Sequence, residues 1–208
     1  MSYDRKTARV RWQAKPVLLN EAMAKLIYSA IASLDGYVAD EQGNFDWAMP
    51  DEEIHAFVND LERPVGTHLY GRRMYETMKV WDSDEILEDQ PQVMRDYAEI
   101  WRGANKIVYS RSLEEVETSR TQLERVFDPY AIRALKEAGK RDISIGGSEL
   151  AGQAVAAGLV DELQLFLVPF AVGAGKPALA IQNHKPLQLM GRQSFANGTV
   201  YLRYEIGS

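Results

Sequence analysis

Three short segments carry residues suited to hold an anion: Gly71-Arg72-Arg73, Ser110-Arg111-Ser112 and Gly146-Gly147-Ser148. Each follows a run that reads as a strand and opens a helix or loop. Glycine lets a bulky ligand approach the backbone closely, and free N–H groups at a helix start bind phosphate. Arg72, Arg73 and Arg111 add forked, permanent charge, and the serine hydroxyls can donate to a phosphate ester. Three such turns on one sheet edge point to a dinucleotide, although the spacing is not the Gly-x-Gly-x-x-Gly pattern of conventional dinucleotide folds. A fourth segment differs in character. Ser33, Asp35, Asp46, Trp47 and Glu52 bring polar groups beside aromatic surface. A carboxyl at Asp35 or Glu52 could orient a substrate or deliver a proton. Burial against Trp47 and Phe57 is expected to raise its pKa toward that task. The plainer alternative is that Asp51 caps a helix and Glu52 is an ordinary first-turn acid.

Composition removes other chemistries. The 208 residues include no cysteine and three histidines. Thiol nucleophiles, disulfides, zinc–cysteine sites and iron–sulfur clusters are excluded. His55 is expected on a helix rim, His68 in a strand and His184 in a loop, with no metal-ligand spacing, so no metal centre is expected. The acids between 82 and 89 read as a solvated face. Gly173-Ala174-Gly175-Lys176-Pro177 superficially matches a phosphate loop, but Pro177 stands where a serine or threonine is needed; it reads as a substrate-side loop. A net charge of −6 argues against nucleic acid as partner. No apolar run reaches the roughly 18 residues of a spanning helix, and none follows the basic start as in a signal peptide. The expectation is a cytoplasmic protein with a small-molecule substrate and no membrane partner.

These turns need a scaffold that brings strand ends together. Residues 1–24 lack periodicity and read as an N-terminal extension; 25–208 read as one domain. Strands are predicted over 25–32, 67–70, 105–109 and 142–145, a weak one over 116–118, and a long apolar one over 161–170. Helices are predicted over 50–61, from 72, over 91–101, over 129–138 and over 148–157. Pro50 and the acids after it suit a first helical turn. Two last strands, 187–195 and 199–206, flank the Asn197-Gly198 reversal. Strand–helix alternation followed by an antiparallel pair specifies an α/β fold with a mixed, mostly parallel sheet.

In order and spacing, Ser33-Leu34-Asp35-Gly36, Tyr70 through Glu76, Ile107 through Arg111, Ile145 through Ser148, and Val168-Pro169 with the 173–177 loop resemble the dihydrofolate-reductase-like superfamily. The closer resemblance is to the C-terminal reductase domain of riboflavin-biosynthesis deaminase-reductases and its stand-alone bacterial relatives. It implies NADPH as hydride donor. It sets Arg72 and Arg73 near the cofactor phosphates and Ser110 and Arg111 at the adenosine 2′-phosphate. Gly146 and Gly147 fall beside the pyrophosphate and nicotinamide, and Ser33 and Asp35 near nicotinamide and substrate. Trp47 through Glu52 resembles the folate-enzyme segment that carries the pterin-binding carboxylate, with Glu52 in that place. Met74, Pro169 and Glu53 depart from the folate pattern. The implied function is an NADPH-dependent reductase of a small heterocycle, imine or carbonyl compound. The alternatives are a true dihydrofolate reductase, or a nucleotide- or flavin-binding protein without turnover. The resemblance also implies a homodimer, formed through the apolar stretch 163–172 or the late strands.

Overall fold

A computed structural model describes residues 23–207. Ten strands and six helices follow in order: β1 (Leu26–Ser33), β2 (Tyr37–Asp40), α1 (Glu52–Glu62), β3 (Val65–Gly71), α2 (Arg72–Met78), α3 (Asp84–Leu87), α4 (Gln92–Gly103), β4 (Asn105–Tyr109), β5 (Thr121–Glu124), α5 (Pro129–Ala138), β6 (Asp142–Gly146), α6 (Ser148–Ala156), β7 (Glu162–Val168), β8 (Gly175–Pro177), β9 (Leu187–Ser194) and β10 (Val200–Ile206). Eight strands form one sheet in the order β5-β4-β3-β6-β1-β7-β10-β9. The first six run parallel. β10 is antiparallel to β7, and β9 to β10. This is the mixed, mostly parallel α/β sheet with a C-terminal antiparallel pair that the alternation predicts. The extension expected over 1–24 falls outside the described residues except for Met23 and Ala24.

Local chemistry sets the helix starts. The Asp51 carboxylate accepts from the Ile54 N–H at 3.0 Å, and Asp128 accepts from Tyr130 N ahead of Pro129, so each cap satisfies a donor the helix leaves free. α5 and α6 cover one face of the sheet, packing Ile132, Leu150 and Val155 on Leu26, Ile143, Ile145 and Leu163. The other face is aromatic: Tyr70, Tyr75, Tyr97 and Trp101 form one cluster, and Ile54, Phe57, Phe166, Phe195 and Tyr201 another.

Two expectations fail for long-range reasons. No strand forms over 116–118, because the hydroxyl of buried Tyr75 accepts from both Glu117 N and Thr118 N. The edge strand begins at Thr121, after Arg120 takes a left-handed conformation with φ 54°. The 173–177 segment is not only loop: β8 pairs with β2 as a small second sheet. Gly175 is required there, since a Cβ would run into the Ala39 carbonyl.

Candidate functional site

Parallel pairing carries all four chemistry-bearing segments to one edge. Tyr70 is in register with Gly146, Gly71 with Tyr109, and Ser33 with Val168. The turns after β1, β3, β4, β6 and β7 therefore leave the carboxyl ends of adjacent strands, where open α/β sheets bind ligands.

The β6–α6 turn is shaped by its glycines. A Cβ on Gly146 would press at 3.0 Å on Tyr70 and Met74, and Gly147 has φ 92°. No side chain caps α6. Ser148 is buried, and its Oγ has no hydrogen-bond partner, an unmet polar group of the kind a ligand satisfies. Gly71 precedes α2, whose first turn presents Arg72 and Arg73 to solvent. Arg72 pairs with Glu76 at 2.9 Å. Lys176 reaches Glu149 in the first turn of α6 at 2.9 Å, and Lys176, then Arg73, hold that carboxyl below its ordinary range. At the β4 turn the Ser110 Oγ accepts from Leu113 N at 2.9 Å and from Ser112 N at 3.3 Å, leaving Arg111 and Ser112 exposed. Arg125 donates to the carbonyls of Ser110, Leu113 and Glu114 and holds this turn from below.

The β1 turn behaves differently from expectation. Ser33 is fully buried. Its Oγ donates to Asp35 Oδ1 at 2.6 Å and accepts from Tyr37 N at 2.9 Å. The Asp35 carboxylate also accepts from Val172 N at 3.1 Å and Gly173 N at 2.7 Å. The Ser33 hydroxyl, then these amides, lower its pKa to about 2. The expected upward shift is thus reversed: Asp35 is an acceptor that ties the β1 turn to the β7–β8 loop, and it holds no proton to give near neutral pH. Glu52 is exposed at the start of α1. Phe57, expected beside it, packs on Phe166, Phe195 and Tyr201 instead, because five residues of helix turn it about 140° away. Trp47 lies in a 3-10 turn (Asp46–Ala48) and stacks on Phe170, with ring centroids 5.7 Å apart and planes 6° from parallel.

His55 and His68 are buried, and His184 is exposed in a loop, as the sequence predicts. His55, expected on a rim, is buried, with Nδ1 3.2 Å from Asn59 Oδ1 and its ring edge-on to Trp81 and Tyr97. His68 is buried with Glu62 at 3.8 Å, an acidic neighbour that sequence proximity did not reveal. Among the described residues no three His, Asp or Glu side chains converge as metal ligands, and no helix is long and apolar enough to cross a membrane. Sequence reasoning placed Lys176 in a substrate-side loop without its Glu149 partner, and it missed Arg125 and Phe170 as parts of this edge. Their partners lie more than ten residues away, so no local pattern marked those two.

The family model described as the RibD C-terminal domain matches residues 24–201. The chain belongs to this family. Its fold is dihydrofolate-reductase-like. The uncharacterized protein YyaP of Bacillus subtilis (strain 168) is 24% identical over 186 residues, covering 89% of this chain and 96% of that relative. A solved Shewanella sp. PV-4 structure, provisionally named a riboflavin biosynthesis protein, superposes with a TM-score of 0.68 at 20% identity, covering 88% of this chain and 99% of that one. A pyrimidine reductase-like protein of Corynebacterium diphtheriae gives a TM-score of 0.63 at 16% identity, covering 89% and 92%. RibD C-terminal domains thus supply the fold, which is that of a reductase superfamily whose members often bind NADPH.

Proposed function

We propose that this RibD-family chain is an NADPH-dependent reductase that delivers hydride to a small heterocyclic, imine or carbonyl acceptor. The observation that carries the reading is the β6–α6 turn: an uncapped helix start and a buried, unpartnered Ser148 hydroxyl on the edge that also presents Arg73 and Arg111. These residues fit an anionic dinucleotide. Gly71, Arg72 and Arg73 would hold the phosphates near α2. Ser110, Arg111 and Ser112 would hold a 2′-phosphate, and Gly146, Gly147 and Ser148 the pyrophosphate side. When bound, the nicotinamide supplies the hydride. The chain's own part is to orient and to exclude water. Ser33 and Asp35 fix the loop that borders the acceptor, and Glu52 is the carboxylate free to face it. Asp35 therefore acts as a positioning residue.

Titrating the protein with NADPH and with NADH, followed by fluorescence, tests the reading. Saturation by NADPH at submillimolar concentration is expected. Arg111→Ala should weaken NADPH by about tenfold, the size of one charge-assisted phosphate contact, and leave NADH unchanged. Equal weakening of both would remove Arg111 from the 2′-phosphate site, and no saturation would overturn the proposal.

The same reading includes a homodimer. β7 is interior to the sheet, between β1 and β10, so the 163–168 part of the proposed contact is enclosed in the monomer. β9 is one of the sheet's two edges and exposes Leu187, Leu189 and Met190. Light scattering at several concentrations tests it; a monomer throughout would refute it.

A further inference from the structure

The carboxyl edge divides by charge. Its β3–β4–β6 half carries Arg72, Arg73 and Arg111, with Lys176 alongside through Glu149. The other half is built from residues 33–62, the 169–175 loop and the β9–β10 reversal at 194–200. None of these three segments contains a lysine or arginine. The one histidine among them, His55, is buried against Asn59. Lys176, the first cation beyond the 169–175 loop, is paired with Glu149.

What this half offers instead is aromatic, apolar and acidic. Leu34, Phe45, Met49 and Phe170 are large apolar side chains left exposed, Leu34 and Met49 by 68% and 67%. The segments that carry them meet: Leu34 N donates to Phe170 O at 2.8 Å, Phe170 stacks on Trp47, and Phe45 and Met49 flank the turn that carries Trp47. An exposed apolar patch beside a site commonly marks a binding surface. The Trp47 indole Nε1 is buried there without an acceptor. The carboxylates around it separate into two kinds. Asp35, Asp51 and Glu53 are spent on backbone amides, Glu53 on Ala196 N at 3.3 Å. Asp46 and Glu52 are exposed, and no hydrogen bond or ion pair engages their side chains.

Among the described residues, a phosphate or carboxylate on the substrate would meet no cation from these three segments, and two free carboxylates. A flat ring would meet stacked aromatic surface, and a positive ring would gain from both carboxylates and π faces. We infer that the substrate of this site is a flat aromatic compound that is neutral or cationic, and not an anion such as a sugar phosphate. The inference rests on the proposed reading of this edge as a cofactor-and-substrate site.

The test is calorimetric titration of the NADPH-saturated protein with three matched probes: quinoline, N-methylquinolinium and a quinoline carboxylate. The cation should bind tightest and the carboxylate at least about tenfold weaker than quinoline, the discrimination of one screened charge contact. The double variant D46K/E52K should reverse the order of cation and anion, and its exposed positions leave the core untouched. Phe170→Ala should weaken all three probes together. The inference is overturned if the carboxylate binds as well as quinoline, if the order survives in D46K/E52K, or if none of the probes binds. Titration with NADPH alone on the same samples separates the two claims. Failure of NADPH to saturate, with the probe order intact in the cofactor-free protein, sinks the reductase reading and leaves the charge preference standing.

Discussion

The two faces of the sheet are built on different principles. Under α5 and α6 the core is mainly aliphatic, and its buried charge, Lys136, sits at the rim with Asp161 at 2.6 Å and the Leu159 carbonyl at 2.8 Å. Under α1 and α4 the core is aromatic and holds titratable groups. Lys106 is buried over the Trp101 ring at 4.2 Å and donates to the Trp101 and Ala104 carbonyls at the end of α4. Tyr70 accepts from the Trp101 indole, and Glu62 Oε2 lies 3.8 Å from His68 Nδ1, with neither Glu62 Oε2 nor His68 Nε2 making a hydrogen bond. Burial pushes Glu62 up to about 7 and His68 down to about 3, with Lys106 and Arg141 adding to the His68 shift. One face is therefore held mainly by apolar packing, with its ion pair at the rim, while the other is coupled to proton concentration.

Cutting the aliphatic face should give the largest effect. Leu163→Ala, at a fully buried position, is expected to cost about 2–5 kcal/mol. That loss, read from urea melts, should be the same at pH 5 and pH 8; a strongly pH-dependent loss would erase the contrast.

The titratable face gives the next effect, and its sign can be worked out. Glu62 binds its proton more tightly folded than at its ordinary value of 4.5, so its contribution falls as pH rises from 4.5 to about 7. His68 binds its proton less tightly than at its ordinary value of 6.5, so its contribution rises with pH from about 3 to 6.5. Between 4.5 and 6.5 the two oppose each other and the intact protein should be nearly flat. Glu62→Gln should uncover a rising slope, and His68→Phe a falling one, each approaching about 1.4 kcal/mol per pH unit. Parallel profiles in the two variants would refute the pairing.

The smallest effect belongs to neither face. Asp35→Asn removes charge from an exposed latch on the sheet edge, so Tm should hardly move. Limited proteolysis should nonetheless cut the 169–175 loop faster, because the amides of Val172 and Gly173 lose their carboxylate. Unchanged nicking would mean that the Asp35 carboxylate is not needed to hold the loop beside the Trp47–Phe170 stack, the Leu34 N–Phe170 O bond and the β2–β8 pairing.

Much of this arrangement is legible in the sequence. Both ends of β4 and α5 follow from local signals: the Asp128-Pro129 start and Gly139 stop of α5, and the apolar run closed by Ser110. The three anion-suited turns are legible because glycine, arginine and serine announce themselves at strand ends. Partnerships across the chain are not. The β2–β8 pair joins segments more than 130 residues apart, neither long enough to alternate. Tyr75 displaces a strand from 42 residues away. Asp35 looked like an acid awaiting burial because its amide partners lie at Val172 and Gly173, beyond any local window.

Arg125 lends the edge one more property. With its guanidinium fixed to three carbonyls of the 110–114 turn, the segment that presents Arg111 has its shape before any anion arrives. Docking there forfeits little chain freedom, so association should be a single fast phase, with no slow ordering step trailing behind it.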